Sequence, residues 1–150
     1  LSFIFFVLFF LSNLTLILND VGLYLNGSEH IYLKKEVYTA MRWLKESSRE
    51  DSVVFSSYRT GNLLFAFSTR QVYLGHGHIT ANFEEKSAKA EKFFKDSNDK
   101  EKLSFLRENK IDYIFWGPRE REEAHFNPEE KDYFEKVFEN NSVSIYQFNN

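Results

Sequence analysis

The chain opens with LSFIFFVLFFLSNLTLIL, in which only Ser2, Ser12, Asn13 and Thr15 are polar and no charge appears before Asp20. As a helix at 1.5 Å per residue, this run reaches about 27 Å, most of the thickness of a bilayer core. A buried core helix normally keeps one polar face, but the residues flanking Phe5, Phe6, Phe9 and Phe10 are apolar all round. A secretory signal would show a basic start, a shorter apolar centre and a small-residue cleavage site, none of which is visible here. Residues 1–20 are therefore predicted to form a transmembrane helix. Without an initiator methionine it is expected to be the truncated last span of a longer chain. A linker is expected over 21–33 and a single water-facing domain over 34–150.

Charged residues are frequent beyond Ile31, and no second apolar run approaches membrane length. About 120 residues suffice for one domain with one core. With 19 basic against 22 acidic residues the net charge is −3, and no basic cluster alternates with aromatics. Nucleic acid is thereby excluded as an expected partner. The absence of cysteine rules out a disulfide scaffold and cysteine-based zinc sites.

The domain alternates between helical and extended patterns. KKEVYTAMRWLKES places Val37, Met41 and Leu44 at helical spacing over 34–47. SVVFSS at 52–57 is a buried-strand pattern, TGNLLFAFS a helix with Thr60 as its expected N-cap, and QVYL at 71–74 a second strand. Two helical stretches follow, one aligning Phe83, Ser87, Ala90 and Phe94, the other carrying Leu103 and Leu106. IDYIFWGP at 111–118 is the strongest strand signal, and KVFENNSVSIYQF reads as a hairpin around Asn140 and Asn141, residues that tolerate left-handed turns. Together these predict an α/β fold: a small three-layer sheet with parallel strands plus a C-terminal antiparallel hairpin, preceded by one transmembrane helix.

In open parallel sheets ligands sit beyond the carboxyl ends of the strands. Three segments fall there: SSYRTGN, GHGH and GPRERE. They are expected to gather Tyr58, Arg59, Thr60, Asn62, His76, His78, Arg119, Glu120 and Arg121 on one edge. His76 and His78 admit four readings: metal ligands with Glu84 or Glu85, acid–base groups, ligand contacts, or helix-capping donors on a turn in which Gly75 and Gly77 supply backbone freedom. His-x-His alone defines no metal site, and no serine or carboxylate stands at motif spacing to make a nucleophile. Gly61 stands alone where a phosphate loop would need several glycines. The arginines of GPRER suit bidentate contact with phosphate or carboxylate, although such a run also makes an ordinary solvated helix start. Trp43, Phe93 and Phe94 read as core. Trp116 does too, with a strand-end position that leaves room for ligand stacking. N-x-S/T patterns begin at Asn13, Asn26 and Asn140, short matches that are common by chance.

With RWLKE, YLGHGH at 73–78, NFEEK at 82–86, GPRER at 117–121 and a closing IYQF, the chain resembles the C-terminal soluble domain of bacterial polytopic membrane proteins grouped with the GT-C glycosyltransferases. That resemblance implies a lipid-linked sugar phosphate as donor, membrane lipid as surroundings, and a domain on the extracytoplasmic side of the cell membrane. It further implies that the catalytic carboxylate lies on a loop near the start of a membrane domain, so that no residue here is catalytic. Arg59, Thr60, Asn62, His76, His78, Arg119 and Arg121 are the expected substrate-binding or gating residues, with no metal and no cofactor. The alternative is a membrane-tethered binding or assembly module with no catalytic role.

Overall fold

The computed structural model describes residues 2–25, 33–95 and 98–149, and it divides into two compact units, 1–34 and 35–150. The first unit contains one helix, α1 (Ser2–Leu25), whose stretch Phe3–Leu23 is long and apolar enough to cross a membrane. Its phenylalanines and leucines are exposed on every side, so the helix has no polar face along that stretch. Helical backbone continues past Asp20 to Leu25, while Asn26 and the rest of the expected linker up to residue 32 lie outside the described residues.

The second unit runs α2 (Lys35–Ser47), β1 (Val53–Phe55), α3 (Tyr58–Ser68), β2 (Gln71–Val72), α4 (Phe83–Lys95), α5 (Asp99–Glu108), β3 (Tyr113–Trp116), α6 (Pro118–Glu123), β4 (Phe134–Glu139) and β5 (Ser144–Phe148). Its five strands form one sheet in the order β2-β1-β3-β5-β4. β1 pairs in parallel with β2 and β3, whereas β5 is antiparallel to both β3 and β4. The predicted α/β class, the parallel half and the C-terminal hairpin are all present.

Strand alternation explains the layers. Phe55, Ile114 and Tyr146 occupy paired positions and face a cluster built with Ala90, Phe93, Phe94 and Leu106 of α4 and α5. Val54, Phe115 and Ile145 alternate to the opposite side, where Met41 and Leu44 of α2 and Leu64 of α3 are fully buried. Each such buried side chain contributes roughly 1.5–3 kcal/mol. Phe55 is the hub of the first layer, stacked on Phe94 at 5.1 Å and edge-on to Phe93 at 4.8 Å. Trp116 packs between Phe94 and Phe126 and is buried, so the core reading holds and no face is left for ligand stacking. In β4 the register shifts between Lys136 and Phe138. This bulge turns Phe138 onto Trp43 of α2, ring centroids 5.4 Å apart.

Two local expectations are corrected. α3 begins two residues before Thr60, with Ser57 as its N-cap, because the Thr60 hydroxyl is drawn to Ser57 Oγ at 3.1 Å. Asn140 and Asn141 are not left-handed; the non-glycine residues with positive φ are Thr69, Asn82 and Lys110. The hairpin loop is closed instead by the Asn140 side chain, which accepts from the backbone N–H of Ser142 and Val143. Lys102 of α5 is 1% exposed. Its ammonium donates to the Phe93 carbonyl at 2.9 Å and lies 4.4 Å from the centre of the Phe126 ring.

Tyr73 follows β2 and packs edge-on to Phe55 and Phe105. Its hydroxyl is buried and has no hydrogen-bond partner among the described residues. Burial, assisted by the Glu85 carboxylate, pushes its pKa up to about 12. The phenol therefore stays neutral in the fold after the unfolded chain has begun to ionise near pH 10, so its contribution is full below that pH and is lost as pH rises toward 12. Tyr73→Phe is expected to raise stability by about 1 kcal/mol at neutral pH. The gain should widen at alkaline pH, as read from urea midpoints of the two chains.

Candidate functional site

Two carboxylates pin the central strand pair at its two ends. Where the strands start, Asp112 accepts from the Val53 N–H at 2.8 Å and from Arg49 at 3.1 Å. At the carboxyl ends Glu120 does the equivalent while wholly buried. Its Oε1 accepts from the Ser57 N–H at 3.0 Å and the Ser57 hydroxyl at 2.6 Å, and its Oε2 from the Gly117 N–H at 3.0 Å. The local sequence explains this placement. Gly117 is the N-cap of α6, Pro118 its first residue and Glu120 its third, the position from which a glutamate reaches back to the cap N–H. Glu120 then has one oxygen left for the end of β1.

This clasp fixes the wall of a cleft of about 340 Å³. Ser57, Tyr58 and Arg59 line it from the end of β1, Leu74 from beyond β2, Glu123 from α6, and Ser87, Glu91, Phe94 and Lys95 from α4. Lys95 is paired with Glu91 at 2.5 Å. The Glu123 carboxyl is held above its ordinary value, first by desolvation and then by the Glu120 carboxylate, with Arg119 and Arg59 pulling the other way. The cleft thus has an apolar floor and a rim of both signs, in which two arginines from different strand ends act on one carboxyl group. An acidic or hydroxyl-rich ligand fits such a rim.

The structure brings together only some of the predicted residues. Arg59 lines the cleft, and Arg119 shares the electrostatic neighbourhood of Glu123. Thr60 is buried and occupied with Ser57. Asn62 points its carbonyl oxygen into the protein, where it has no partner among the described residues. Arg121 turns away to Ser144 Oγ of β5 at 3.3 Å and does not join the cleft.

The histidine turn is a neighbouring element. His76 and His78 are exposed, their rings 5.5 Å apart, and His76 Nδ1 accepts from the His78 backbone N–H at 3.3 Å. The turn is held by Thr80, whose hydroxyl accepts from the Gly75 N–H at 3.1 Å. Gly77 lies over the Phe83 ring, and Phe83 packs edge-on against Tyr58 of the cleft at 5.2 Å. His78 also borders an open hollow with Asn82, Glu84 and Glu85. Among the described residues no group of three His, Asp or Glu is arranged to hold a metal ion. Neither Gly75 nor Gly77 has a left-handed φ, so the expected backbone freedom is not what these glycines supply.

Gly61 supplies the close approach instead, since a Cβ there would stand 1.8 Å from the Leu74 carbonyl oxygen. Sequence reasoning passed over Ser57, Glu123, Lys95 and the structural role of Glu120. For Glu120 a signal existed, the Gly-Pro-x-Glu spacing of a helix start; for the cleft residues of α4 none did.

No protein-family model matches the chain, and no curated protein matches it. Among solved structures, the C-terminal globular domain of an oligosaccharyltransferase from Archaeoglobus fulgidus superposes with a TM-score of 0.57 at 16% sequence identity. The match covers 78% of this chain and 99% of that one. At that identity the likeness is one of fold, shared with the globular domain of an oligosaccharyltransferase. The resemblance drawn from the sequence named bacterial proteins; this neighbour is archaeal.

Proposed function

We propose that this chain is the C-terminal, extracytoplasmic part of an integral membrane glycosyltransferase that takes its sugar from a lipid-linked phosphate donor. The domain binds or gates substrate rather than performing the chemistry. The reading is carried by one conjunction: a fold that matches nearly the whole length of an oligosaccharyltransferase C-terminal domain, in a chain that also bears a bilayer-length apolar helix. The cleft supports it, because Arg59 and Arg119 give the carboxyl edge of the sheet the charge needed to receive a phosphate or an acidic acceptor. His76 and His78, exposed on the turn whose Gly77 lies over Phe83, the ring that meets Tyr58 of the cleft, are the hydrogen-bonding groups assigned to the same substrate.

Arg119→Ala, made in the protein purified from its membrane, is expected to lower transfer from a lipid-linked sugar donor about tenfold, the equivalent of one charge-assisted contact. The fold should be retained, with Trp116 as fluorescence reporter. Unchanged transfer would remove the cleft from the reaction and leave the domain as a tethered binding or assembly module.

A further inference from the structure

The helices of the domain do not present the same kind of surface. α2 and α4 carry ion pairs on their outer faces, Arg42 with Glu46, Glu85 with Lys89, and Glu91 with Lys95. α3 has no counterpart. Its exposed residues past the first turn are the consecutive Phe65, Ala66 and Phe67, with Phe65 61% exposed, and its only charge is Arg59 at the start. The patch continues onto α2, where Tyr38 is 41% exposed and meets Phe67 edge-on at 5.6 Å. Lys35 and Arg42 flank Tyr38 at helical spacing, three residues before and four after.

We infer that this aromatic face, Phe65-Ala66-Phe67 with Tyr38, rests on the surface of a lipid bilayer containing anionic headgroups. Three observations select that occupant. The patch is aromatic and bordered by Lys35 and by Arg42 in its pair with Glu46, a composition that suits the headgroup boundary of an anionic leaflet. The same chain contains a helix long and apolar enough to enter a bilayer. Only nine residues, 26–34, separate Leu25 from Lys35, and a chain of that length reaches at most about 33 Å. A bilayer that takes α1 is therefore always within reach of the domain, at high effective concentration. The inference rests on the membrane attachment in the function proposed above and not on glycosyl transfer.

The chain has no cysteine, so a single one can carry a probe. The whole chain, labelled with a nitroxide at Ala66→Cys or, as a control on α4, at Lys89→Cys, is reconstituted in vesicles of phosphatidylcholine and phosphatidylglycerol. Collisions with oxygen, which partitions into lipid, are compared with collisions with a water-soluble nickel chelate. The label at residue 66 is expected to lose several-fold in nickel accessibility and to gain in oxygen accessibility, while the label at 89 stays open to nickel. Phe65→Ser with Phe67→Ser should return residue 66 to water while Trp116 fluorescence is unchanged.

Equal nickel access at 66 and 89 in chains that float with the vesicles overturns the inference and leaves the proposed function standing. A label at 66 closed to both reagents overturns it in favour of a covering protein. Failure of the chain to float with vesicles overturns both.

Discussion

Gly61→Ala is expected to cost about 3 kcal/mol or more, the upper end of what an added methyl group costs in a packed site. Nothing about the glycine's own backbone requires it; the obstacle is the Leu74 carbonyl oxygen, which the new Cβ would meet at 1.8 Å. Backbone cannot swing aside as a side-chain tip can, so α3 must lift from the chain segment that leaves β2. Gly77→Ala is the internal control. There a Cβ would sit 3.7 Å from the Phe83 ring, an ordinary contact, and the cost should stay below about 1 kcal/mol. Urea unfolding followed through Trp116, one of two tryptophans, separates the pair. A Gly61→Ala chain as stable as the Gly77→Ala chain would show that α3 is not seated on residue 74 as described.

The second large effect is expected at Glu120. Replacing it with alanine leaves the Ser57 N–H and the Gly117 N–H buried without their acceptor, while the Ser57 hydroxyl retains Thr60 Oγ1. At about 1–3 kcal/mol for each stranded group, a combined loss of about 4 kcal/mol is expected. Glu120→Gln should lose less, since its carbonyl oxygen serves one end of the clasp while its amide turns a donor toward the other. Amide exchange at Ser57 and Gly117 offers a readout that global unfolding does not. Both should become faster in Glu120→Ala, whereas the Val53 amide, held by Asp112 at the far end of the strands, should be unaffected. Acceleration at all three would mean a general loosening and no clasp.

How far the letters alone reach is best seen at particular residues. The run of α1 was legible because it is apolar all round over bilayer length, and the β-branched and aromatic strands because burial on both faces of a sheet leaves a continuous apolar signature. The carboxyl edge of the sheet could be placed from strand order alone and the cleft lies there, but of the three segments expected to converge only SSYRTGN lines it. What stayed hidden is what depends on the exact path of the backbone. Glu120 and Arg121 are adjacent in an evenly charged run, yet one is fully buried and the other bonds to β5, a difference of direction around a helix of six residues. Lys102 was unreadable for a similar reason, since no periodicity reveals that an ammonium can end between rings. The histidines are conspicuous in the sequence, whereas the packing of their turn is decided by Gly61, Thr80 and Phe83, which no motif announced.

The two outermost strands have one more consequence. β2 is only two residues long, and β4 presents Glu135, Lys136 and Glu139 beside its bulge. Neither margin offers an incoming peptide a straight, uncharged template. Copies brought close together can therefore crowd without zippering edge to edge, because neither margin is an open ribbon.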